Sequence, residues 1–402
     1  MVDSPHCSAV PITAYTSLSS AGFGNVDFYQ ALLNNQRHLA PLNLFEVNLS
    51  TYVGEVTIDL PNVRAELAIY NSRNSRMALA ALDNPVDDLR LAVEMAKIRY
   101  GRHRIGVVIG TSTSGLYETE SAYEYLLAHQ QMPDDFHFLT CHAYQATPRF
   151  LQQELELQGV CFAVSTACSS AAKAIAAGQR LINHNLCDAV LVGGVDTLCQ
   201  LTLRGFHSLE LISSSYCQPL DKNRCGINIG EGAGLLLLEK SSEQFKDCPK
   251  VLAVGESSDA YHMSSPHPEG RGAIAAMQQA LSMAQCQITD IDYINLHATA
   301  TPMNDLIETK AVNAIFSDNV PCSGTKGITG HTLGAAGAIE AIASLLALEH
   351  QFIPGTCGLV EIDADNGCQI ISDTLTEQPL NKVMSNSFGF GGNNASMLFS
   401  RS

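Results

Sequence analysis

Four residues of this chain have side chains that could act together in nucleophilic chemistry: Cys168, His297, Lys326 and His331. Each lies at or just beyond the carboxyl end of a predicted strand, where the sheets of α/β proteins place their reactive groups. A thiol accompanied by two imidazoles is typical of acyl transfer, in which the sulfur attacks a carbonyl and holds the acyl group as a thioester. These residue types therefore predict an acyl-transfer site.

Cys168 lies where a predicted buried strand, 159–164, gives way through a turn of small residues to an Ala-rich helix, 171–181. Unpaired backbone N–H groups and the helix dipole stabilise negative charge at such a position, so we expect the thiol to ionise readily. Taken alone, Cys168 is equally well explained as a small buried apolar residue, and each histidine as an ordinary buried one. The catalytic interpretation depends on the four residues together.

Other chemistries fit the motifs less well. No pair of candidate Cys or His ligands has short spacing, so no metal site is predicted. The run 110–115, GTSTSG, resembles the elbow of serine hydrolases but has Ser114 where that motif needs Gly. The glycine-rich runs 230–234 and 389–392 are not dinucleotide fingerprints, because neither follows a strand and opens a helix with an acidic residue about 20 positions on.

The composition predicts a compact, oligomeric globular protein. Of the 402 residues, 46% are apolar and 16% charged, and a net charge of −17 argues against non-specific nucleic-acid binding. The 13 cysteines include no C-x-x-C pair, so neither a disulfide scaffold nor a zinc ribbon is predicted. No signal peptide and no uncharged apolar run of about 20 residues is apparent. We therefore expect a soluble cytoplasmic protein without a membrane span.

Strands alternate with helices of ten or more residues along the whole chain, which predicts an α/β protein with mostly parallel sheets and helices on their faces. A polar stretch, 240–250, separates two halves, and we place the boundary so that the halves are 1–248 and 249–402. Each half contains a buried strand that leads into a small-residue turn, at 164–170 and at 383–392. The second half therefore resembles a weaker copy of the first.

Eight motifs of this chain occur in the order found in one family, the elongating β-ketoacyl-acyl carrier protein synthases of the thiolase-like superfamily. The matching runs are TACSS (166–170), DKNR (221–224), GEGAG (230–234), DAYHM (259–263), HATATPMND (297–305), GTK (324–326), GHTLGAAG (330–337) and NSFGFGG (386–392). The resemblance extends from about residue 105 to the end and is loose before that point. It implies a thiolase-like fold, in which two similar halves form a five-layered αβαβα arrangement.

The resemblance also implies a role for each candidate residue. Cys168 would accept the acyl group, and its backbone N–H would form an oxyanion hole with that of Phe390, which would also be the gate between the acyl pocket and the malonyl site. His297 and His331 would stabilise the enolate left when malonyl carrier protein loses CO2. Further roles would fall to Lys326 beside His297, to Glu308 as the partner of Lys326, to Asp305 as a second supporting carboxylate, and to Thr299 and Thr301 as hydroxyls that bind the phosphopantetheine arm.

The same resemblance implies an acyl carrier protein as partner, with its phosphopantetheine arm as the substrate carrier and no cofactor bound to the enzyme. Carrier proteins are acidic, so Arg73, Arg76 and Arg204 are candidates for a basic docking patch. The chain is expected to form a homodimer, or a heterodimer with a homologous synthase or chain-length-factor subunit. The second histidine separates it from chain-initiating and chalcone-type synthases, which use Cys, His and Asn, and from thiolases, which use a second Cys.

Several residues depart from the family pattern, and they favour a specialised enzyme of polyketide or aryl polyene synthesis as much as one of fatty acid synthesis. The departures are Ala298, Ala300, Cys225, Ile227 and Asn393, which stand where Gly, Ser or Thr, Asp, Phe and Thr are usual. A non-catalytic partner subunit, similar to a chain length factor, is the alternative function. The presence of Cys168 argues against that alternative, because such subunits lack the nucleophile.

Overall fold

The structure, a computed structural model, describes residues 8–317, 319–363 and 365–402. Strands in these residues are β1 (Val10–Ser19), β2 (Gly22–Phe23), β3 (Ala40–Pro41), β4 (Tyr52–Val53), β5 (Ile105–Gly110), β6 (Cys161–Val164), β7 (Ala189–Asp196), β8 (Gly232–Glu239), β9 (Lys250–Ser258), β10 (Tyr293–Asn295), β11 (Pro321–Ser323), β12 (Gln369–Ile370), β13 (Lys382–Gly389) and β14 (Asn393–Ser400). The α-helices are α1 (Asn25–Leu33), α2 (Arg73–Leu82), α3 (Leu89–Tyr100), α4 (Leu116–His129), α5 (Ala146–Glu154), α6 (Ser170–Asn183), α7 (Gln200–Ser208), α8 (Arg271–Ala284), α9 (Pro302–Phe316), α10 (Lys326–Thr329) and α11 (Ala336–His350).

Ten strands form two sheets with the same internal order. The first sheet runs β6-β5-β7-β8-β1, and the second runs β11-β10-β13-β14-β9, with β12 beside β11. When these five strands of each sheet are numbered along the chain, both orders read 3-2-4-5-1. The sheets join where Val10 and Pro11 of β1 pair with Val251 and Lys250 of β9. The predicted likeness of the two halves is therefore present in their topology.

Each sheet is mostly parallel, as predicted, because four of its five strands run in the same direction and only β8 in the first sheet and β14 in the second are reversed. One detail of the sequence-based prediction is wrong. The turn at 164–170 follows the third strand of its sheet, whereas the turn at 383–392 lies between the fourth and fifth strands of the other. The true counterpart of the Cys168 turn is the segment after β11, which carries Lys326 and His331.

Five layers pack in the predicted αβαβα order. Helices α6 and α11 lie side by side between the sheets and form one hydrophobic core with the strands on both sides. Helices α2, α3 and α5 cover the outer face of the first sheet, and α8 and α9 cover that of the second. Both middle helices are rich in Ala and Gly, and these small residues allow the sheets to approach the helices closely.

The close approach of α6 is set by two glycines. A Cβ on Gly110, at the end of β5, would collide with the backbone of Ala171, and a Cβ on Gly194, in β7, would collide with the Ala171 side chain. The N-terminus of α6 is thereby held against the carboxyl ends of two strands. This contact fixes where Cys168, two residues before α6, can lie.

Helix α11 accounts for the most apolar stretch of the described chain. Residues Leu333–His350 are long and apolar enough to cross a membrane, with a mean hydropathy of 1.3, but 89% of the stretch is buried inside the protein. Its neighbours are α6 and strands of both sheets. The stretch is therefore explained as the central helix of the fold.

Strand β6 differs from its expected buried character. All four of its residues are partly exposed, because β6 is at the edge of the first sheet and pairs only with β5 among the described strands. Its apolar residues Phe162 and Val164 line an open groove together with Leu181 and Leu186. An unpaired edge with apolar side chains is a surface that natural proteins normally cover.

Candidate active site

The structure brings the thiol and the two imidazoles of the predicted set together. The Sγ atom of Cys168 and ring nitrogens of His297 and His331 all lie within 4.8 Å of one another, and all three residues are buried. His331 Nε2 is 3.0 Å from Cys168 Sγ. The two imidazole rings are nearly perpendicular, with centroids 5.3 Å apart. His297 and His331 lie 129 and 163 positions after Cys168 in the chain, and the fold brings all three side chains together.

A tight turn presents Cys168. Ala167 has a left-handed backbone conformation with φ of +53°, which is unfavourable for a residue with a Cβ and is held by the surrounding hydrogen bonds. Ser170 supplies two of them, because its hydroxyl donates to the Ala167 carbonyl at 2.6 Å and accepts from the Thr166 N–H at 2.9 Å. The sulfur is therefore directed away from α6 and into the shared space.

The thiol does not ionise readily, contrary to the expectation from its position at a helix N-terminus. Burial raises the pKa of Cys168 to about 11. The positive charge of Lys326 and the backbone N–H groups of Phe390 and of Cys168 itself act in the opposite direction but do not outweigh burial. The same two N–H groups therefore face the sulfur, as the predicted oxyanion hole requires.

Hydrogen bonds fix the tautomers of both histidines. His331 Nδ1 accepts from the Leu333 N–H at 3.2 Å, so its ring proton belongs on Nε2, which faces Cys168. His297 Nδ1 is 3.1 Å from Lys326 Nζ, an ammonium donor, so the proton of His297 also belongs on Nε2. Burial and the Lys326 charge hold the pKa of each imidazole well below its ordinary value. Both rings are neutral N–H donors near pH 7.

This donor pattern also bears on metal binding. By distance alone, Cys168, His297 and His331 could hold a metal ion. A metal would need a free lone pair on the nitrogens that face it, whereas the hydrogen bonds at Nδ1 place a proton on Nε2 of each ring. The arrangement is suited to donating hydrogen bonds to a developing oxyanion rather than to coordinating an ion.

Lys326 has a different partner from the one expected. Its Nζ forms an ion pair with Glu340 of α11 and also donates to the His297 carbonyl, so the expected pairing with Glu308 is wrong. Lys326 also begins the short helix α10 rather than ending a strand, since β11 ends at Ser323. Glu340 is 14 residues beyond Lys326 in the chain and is brought to it by the turn between α10 and α11.

Glu308 and Asp305 instead hold the backbone around His297. Glu308 accepts hydrogen bonds from the N–H groups of His297 and Ala298, each at 2.8 Å, and burial raises its pKa to about 7. Asp305 accepts from the N–H groups of Leu220 and Ala300 at 2.8 and 3.1 Å. Both carboxylates lie on α9, so this helix supports the loop that carries His297.

A cavity of about 370 Å³ opens onto the reactive groups. Cys168, His297, His331, Thr299 and Thr301 line it, and the two threonine hydroxyls are 2.9 Å apart. The cavity reaches the surface beside Met303 and Asn304. Its shape and polarity suit a slender substrate arm that enters from solvent and ends at the sulfur.

Phe390 lines the same cavity. Its ring lies 5.3 Å from that of Phe206 on α7, and the two glycines that follow it, Gly391 and Gly392, have φ of +78° and +72°. These backbone conformations are easily adopted by glycine and allow the tight turn after β13. Phe206 was not among the predicted site residues, and its spacing within α7 gives no sign of this contact.

The expected docking arginines separate into two kinds. Arg73 forms an ion pair with buried Glu231, and the Arg76 guanidinium donates to the carbonyls of Leu60 and Pro61, so both side chains are engaged within the protein, which disfavours them as docking residues. Arg204 is exposed on α7, close to the Phe206 that lines the cavity. Of the three arginines, Arg204 alone retains the properties expected of a docking residue.

The fold and the site define a condensing enzyme of the thiolase-like class. Residues 61–244 match the family model described as "Beta-ketoacyl synthase, N-terminal domain", and residues 250–360 match "Beta-ketoacyl synthase, C-terminal domain". The chain belongs to the β-ketoacyl synthase family and is an acyltransferase, which confirms the family predicted from its motifs.

Similar proteins cover the whole chain. The 3-oxoacyl-[acyl-carrier-protein] synthase 1 of Haemophilus influenzae is 30% identical over 97% of this chain and 98% of its own length. Synthase 2 of Coxiella burnetii is 29% identical over 98% of both. Among solved structures, a chain of the complex of a ketosynthase (ApeO) with its chain length factor (ApeC) from Xenorhabdus doucetiae is 40% identical, covers 100% of both chains and has a TM-score of 0.90.

Proposed function

We propose that this chain elongates an acyl group held on Cys168 by decarboxylative condensation with a malonyl group, both delivered by an acyl carrier protein. The observation that carries the proposal is the convergence of Cys168 Sγ with two imidazoles whose Nε2 atoms carry protons. The names of the curated relatives refer to acyl carrier protein, which supports the same carrier for this chain.

In the first step, the sulfur of Cys168 attacks the thioester carbonyl of the acyl carrier protein. A carbon–sulfur bond forms to Cys168, the bond to the carrier thiol breaks, and the proton of Cys168 ends on that thiol. The N–H groups of Cys168 and Phe390 stabilise the tetrahedral oxyanion, which is consistent with their position at the sulfur. Because the thiol is buried and neutral, this stabilisation has to offset the energy of forming a thiolate.

In the second step, a malonyl carrier protein loses CO2 and leaves an enolate whose oxygen accepts hydrogen bonds from His297 and His331. The enolate carbon attacks the Cys168 thioester, the carbon–sulfur bond breaks, and the thiolate takes a proton from solvent. The products are CO2 and a 3-oxoacyl carrier protein. Two fixed N–H donors in a dry site stabilise such an oxyanion by several kcal/mol, on the order of 3–8.

The arm of the carrier reaches Cys168 through the cavity, and Thr299 and Thr301 bind its amide groups. The paired hydroxyls face this passage, which supports the assignment. Arg204 contributes to docking at its mouth. Reversal of its charge, Arg204→Glu, is expected to raise KM for the carrier about threefold to tenfold without changing kcat, whereas an unchanged KM would remove Arg204 from the docking surface.

Acylation of Cys168 is the direct test of the function. After incubation with acyl carrier proteins of several chain lengths, intact-mass and peptide mass spectrometry are expected to find the acyl group on Cys168 and none in Cys168→Ala. Cys225→Ala is the matched control, because Cys225 is exposed and does not line the cavity. Failure of every acyl chain to load Cys168 would contradict the proposal.

We also propose that the working enzyme is a heterodimer with a homologous subunit of the chain-length-factor type. The solved complex of 40% identity pairs a ketosynthase with its chain length factor, and a chain of a second complex, the ishigamide ketosynthase/chain length factor, matches at 26% identity with a TM-score of 0.90. In this chain, the unpaired edge of β6 and the apolar groove beside it offer a surface for such a subunit. Presence of the nucleophile and both imidazoles disfavours the partner-subunit role for this chain itself.

Co-expression with homologous subunits distinguishes a heterodimer from a homodimer. Copurification of a homologous subunit at one-to-one stoichiometry supports the heterodimer, and an active homodimer in its absence contradicts it. The likeness to the two ketosynthase complexes favours a specialised polyketide or aryl polyene pathway, and the proposal keeps the expected cytoplasmic location. The division of the chain into halves 1–248 and 249–402 remains part of this proposal, supported by the repeated strand order of the two sheets.

A further inference from the structure

A lysine that lines the groove beside β6 forms a hydrogen bond next to the turn that carries Phe390. Lys173 lies on α6, five residues after Cys168, and lines this groove of about 340 Å³ together with Arg180 and Glu256. Its Nζ donates a hydrogen bond to the Oδ1 atom of Asn393 at 3.0 Å. The side chain is half-buried, and burial lowers the pKa of its amine.

Asn393 is the first residue after the turn that carries Phe390. It pairs with Gly389 across that turn and with Ser258 of β9, so it closes the hairpin between β13 and β14. On the other side, the turn is held by two backbone bonds to the segment 259–263, from the Gly391 N–H to the Met263 carbonyl and from the Asp259 N–H to the Gly392 carbonyl. Lys173 therefore holds the turn to the helix of the nucleophile, and the segment 259–263 holds it to the cavity mouth.

One side chain of this link departs from the family pattern. Asn393 stands where that pattern has Thr, whose hydroxyl oxygen is one atom closer to the backbone than the Oδ1 atom of Asn. The link also joins two functional regions, because Lys173 lines the groove at the sheet edge while Asn393 adjoins the turn of Phe390. A change in the bond is thereby transmitted to both the ring and the N–H group of Phe390.

We propose that Lys173 is a positioning residue that holds the Phe390 turn closed over the acyl pocket through Asn393. The inference rests on the proposed acylation of Cys168 and on the role of gate that the family resemblance implies for Phe390. Without the bond, the turn samples open positions more often, and long acyl groups, which need the gate to open, gain more than short ones. Stabilisation of the oxyanion is the same for long and short acyl thioesters, so its contribution cancels in the ratio of their acylation rates.

The test is the ratio of the acylation rates of Cys168 by dodecanoyl and acetyl thioesters of N-acetylcysteamine, measured by mass spectrometry on the purified protein with any copurifying subunit. Lys173→Met, which keeps the length but removes the donor, is expected to raise the ratio about threefold to tenfold, and Asn393→Ala to do the same. The double variant is expected to match the single ones, as residues acting through one bond do. Lys173→Arg retains the donor and is expected to restore the original ratio.

Lys97→Met is the matched control with an unchanged ratio expected, since Lys97 is also a partly buried helical lysine but pairs with Glu94 and lines neither the groove nor the cavity. Alkylation of Cys168 by iodoacetamide, which is too small to need the gate open, is expected to change less than twofold in all variants. An unchanged ratio in Lys173→Met and Asn393→Ala, with a raised ratio in Phe390→Ala, overturns the role of Lys173 and leaves the gate standing. An unchanged ratio in Phe390→Ala removes the gate and the inference with it, whereas a chain that is never acylated contradicts the proposed function itself.

Discussion

The two sheets share one strand order, yet the turns at equivalent strand ends carry different chemistry. After the second strand of the first sheet, β5, the turn contains the hydroxyls of Thr111 and Thr113 and no titratable group. After the second strand of the second sheet, β10, the turn carries His297. After the third strands the contrast is repeated, with Cys168 beyond β6, and Lys326 and His331 beyond β11.

The supporting groups follow the same duplication. Buried Asp196 accepts hydrogen bonds from the N–H groups of Ser112 and Thr113 and from the hydroxyls of Thr111 and Thr113. Buried Glu308 accepts from the N–H groups of His297 and Ala298. In each half a buried carboxylate thus fixes the turn after the second strand. The two halves share one strand order, but the first carries the nucleophile and the second carries the N–H donors. Neither half contains the complete site.

The largest effect on reaction rate is expected from a change in the second half of the chain, which carries the hydrogen-bond donors His297 and His331. His297→Ala removes an N–H donor for the enolate but leaves the Cys168 sulfur and both N–H groups of its oxyanion hole in place. We expect decarboxylation of malonyl carrier protein to fall about 10²- to 10³-fold, while acylation of Cys168 falls less than tenfold. Release of CO2 and the acylated mass of the protein measure the two steps separately.

His142→Ala is the control for this comparison, because His142 is bonded to Thr119 and does not line the cavity. Both rates are expected to stay within twofold of the unchanged protein. Equal losses of acylation and decarboxylation in His297→Ala would show that the two halves do not divide the chemistry between them.

The next prediction compares how much the two buried carboxylates, Asp196 and Glu308, contribute to the stability of the protein. Asp196 receives two hydroxyl and three backbone donors, the third being the Gly334 N–H, and Asp196→Asn replaces one acceptor oxygen with an NH2 group that faces them. We expect a loss of about 3 kcal/mol in the free energy of unfolding. Glu308, with a pKa of about 7, is already partly protonated at pH 7, so Glu308→Gln is expected to cost about 1 kcal/mol.

Urea unfolding at pH 7 measures both values. Asp365→Asn is the exposed control, with an expected change within about 0.5 kcal/mol. A larger loss for Glu308→Gln than for Asp196→Asn would mean that the second turn depends on its carboxylate more than its fewer hydrogen bonds indicate.

Much of this site follows from the sequence, because small-residue turns after apolar runs mark the strand ends where Cys168, His297 and His331 lie. The alternation of strands and helices in both halves also follows from the sequence. What the sequence could not supply are contacts set by how helices pack against one another. Glu340 is a lone acidic residue in an apolar helix, which is a sign of a buried partner, but only the orientation of α11 makes that partner Lys326.

The differences between the expectations and the structure have the same origin. Arg73 and Arg76 form a dense positive pair in the sequence, but the packing of α2 against the first sheet directs them to Glu231 and to backbone carbonyls. The helix N-terminus at Cys168 is real, yet the same packing buries the sulfur and outweighs its effect on the pKa. Local pattern predicts which groups reach the site, and burial decides their protonation.

The pKa of the nucleophile can be measured directly. With a pKa of about 11, the thiolate fraction of Cys168, and hence its rate of alkylation by iodoacetamide, is expected to rise about 90-fold between pH 8 and pH 10. An ordinary thiol of pKa 9.0 would show a rise of about tenfold over this range. Peptide mass spectrometry distinguishes Cys168 from exposed Cys225, which serves as the internal reference. A flat profile for Cys168 would show that the helix N-terminus outweighs burial after all.

The last prediction concerns how the stability contributed by Glu308, beside His297, depends on pH. The pKa of Glu308 is raised from 4.5 to about 7 in the folded chain, so between these values the folded state binds more protons than the unfolded state. Its contribution to stability is therefore present at pH 4.5 and below, and is lost as the pH rises through 7. Between pH 5 and pH 8 the unchanged protein is expected to lose about 2 kcal/mol relative to Glu308→Gln, which carries no titrating group there. Urea midpoints of the two proteins at both pH values give this difference. A stability difference between the two proteins that is the same at pH 5 and pH 8 would mean that the hydrogen bonds from His297 and Ala298 keep Glu308 ionised throughout. The turn that carries His297 would then be held by a charged carboxylate.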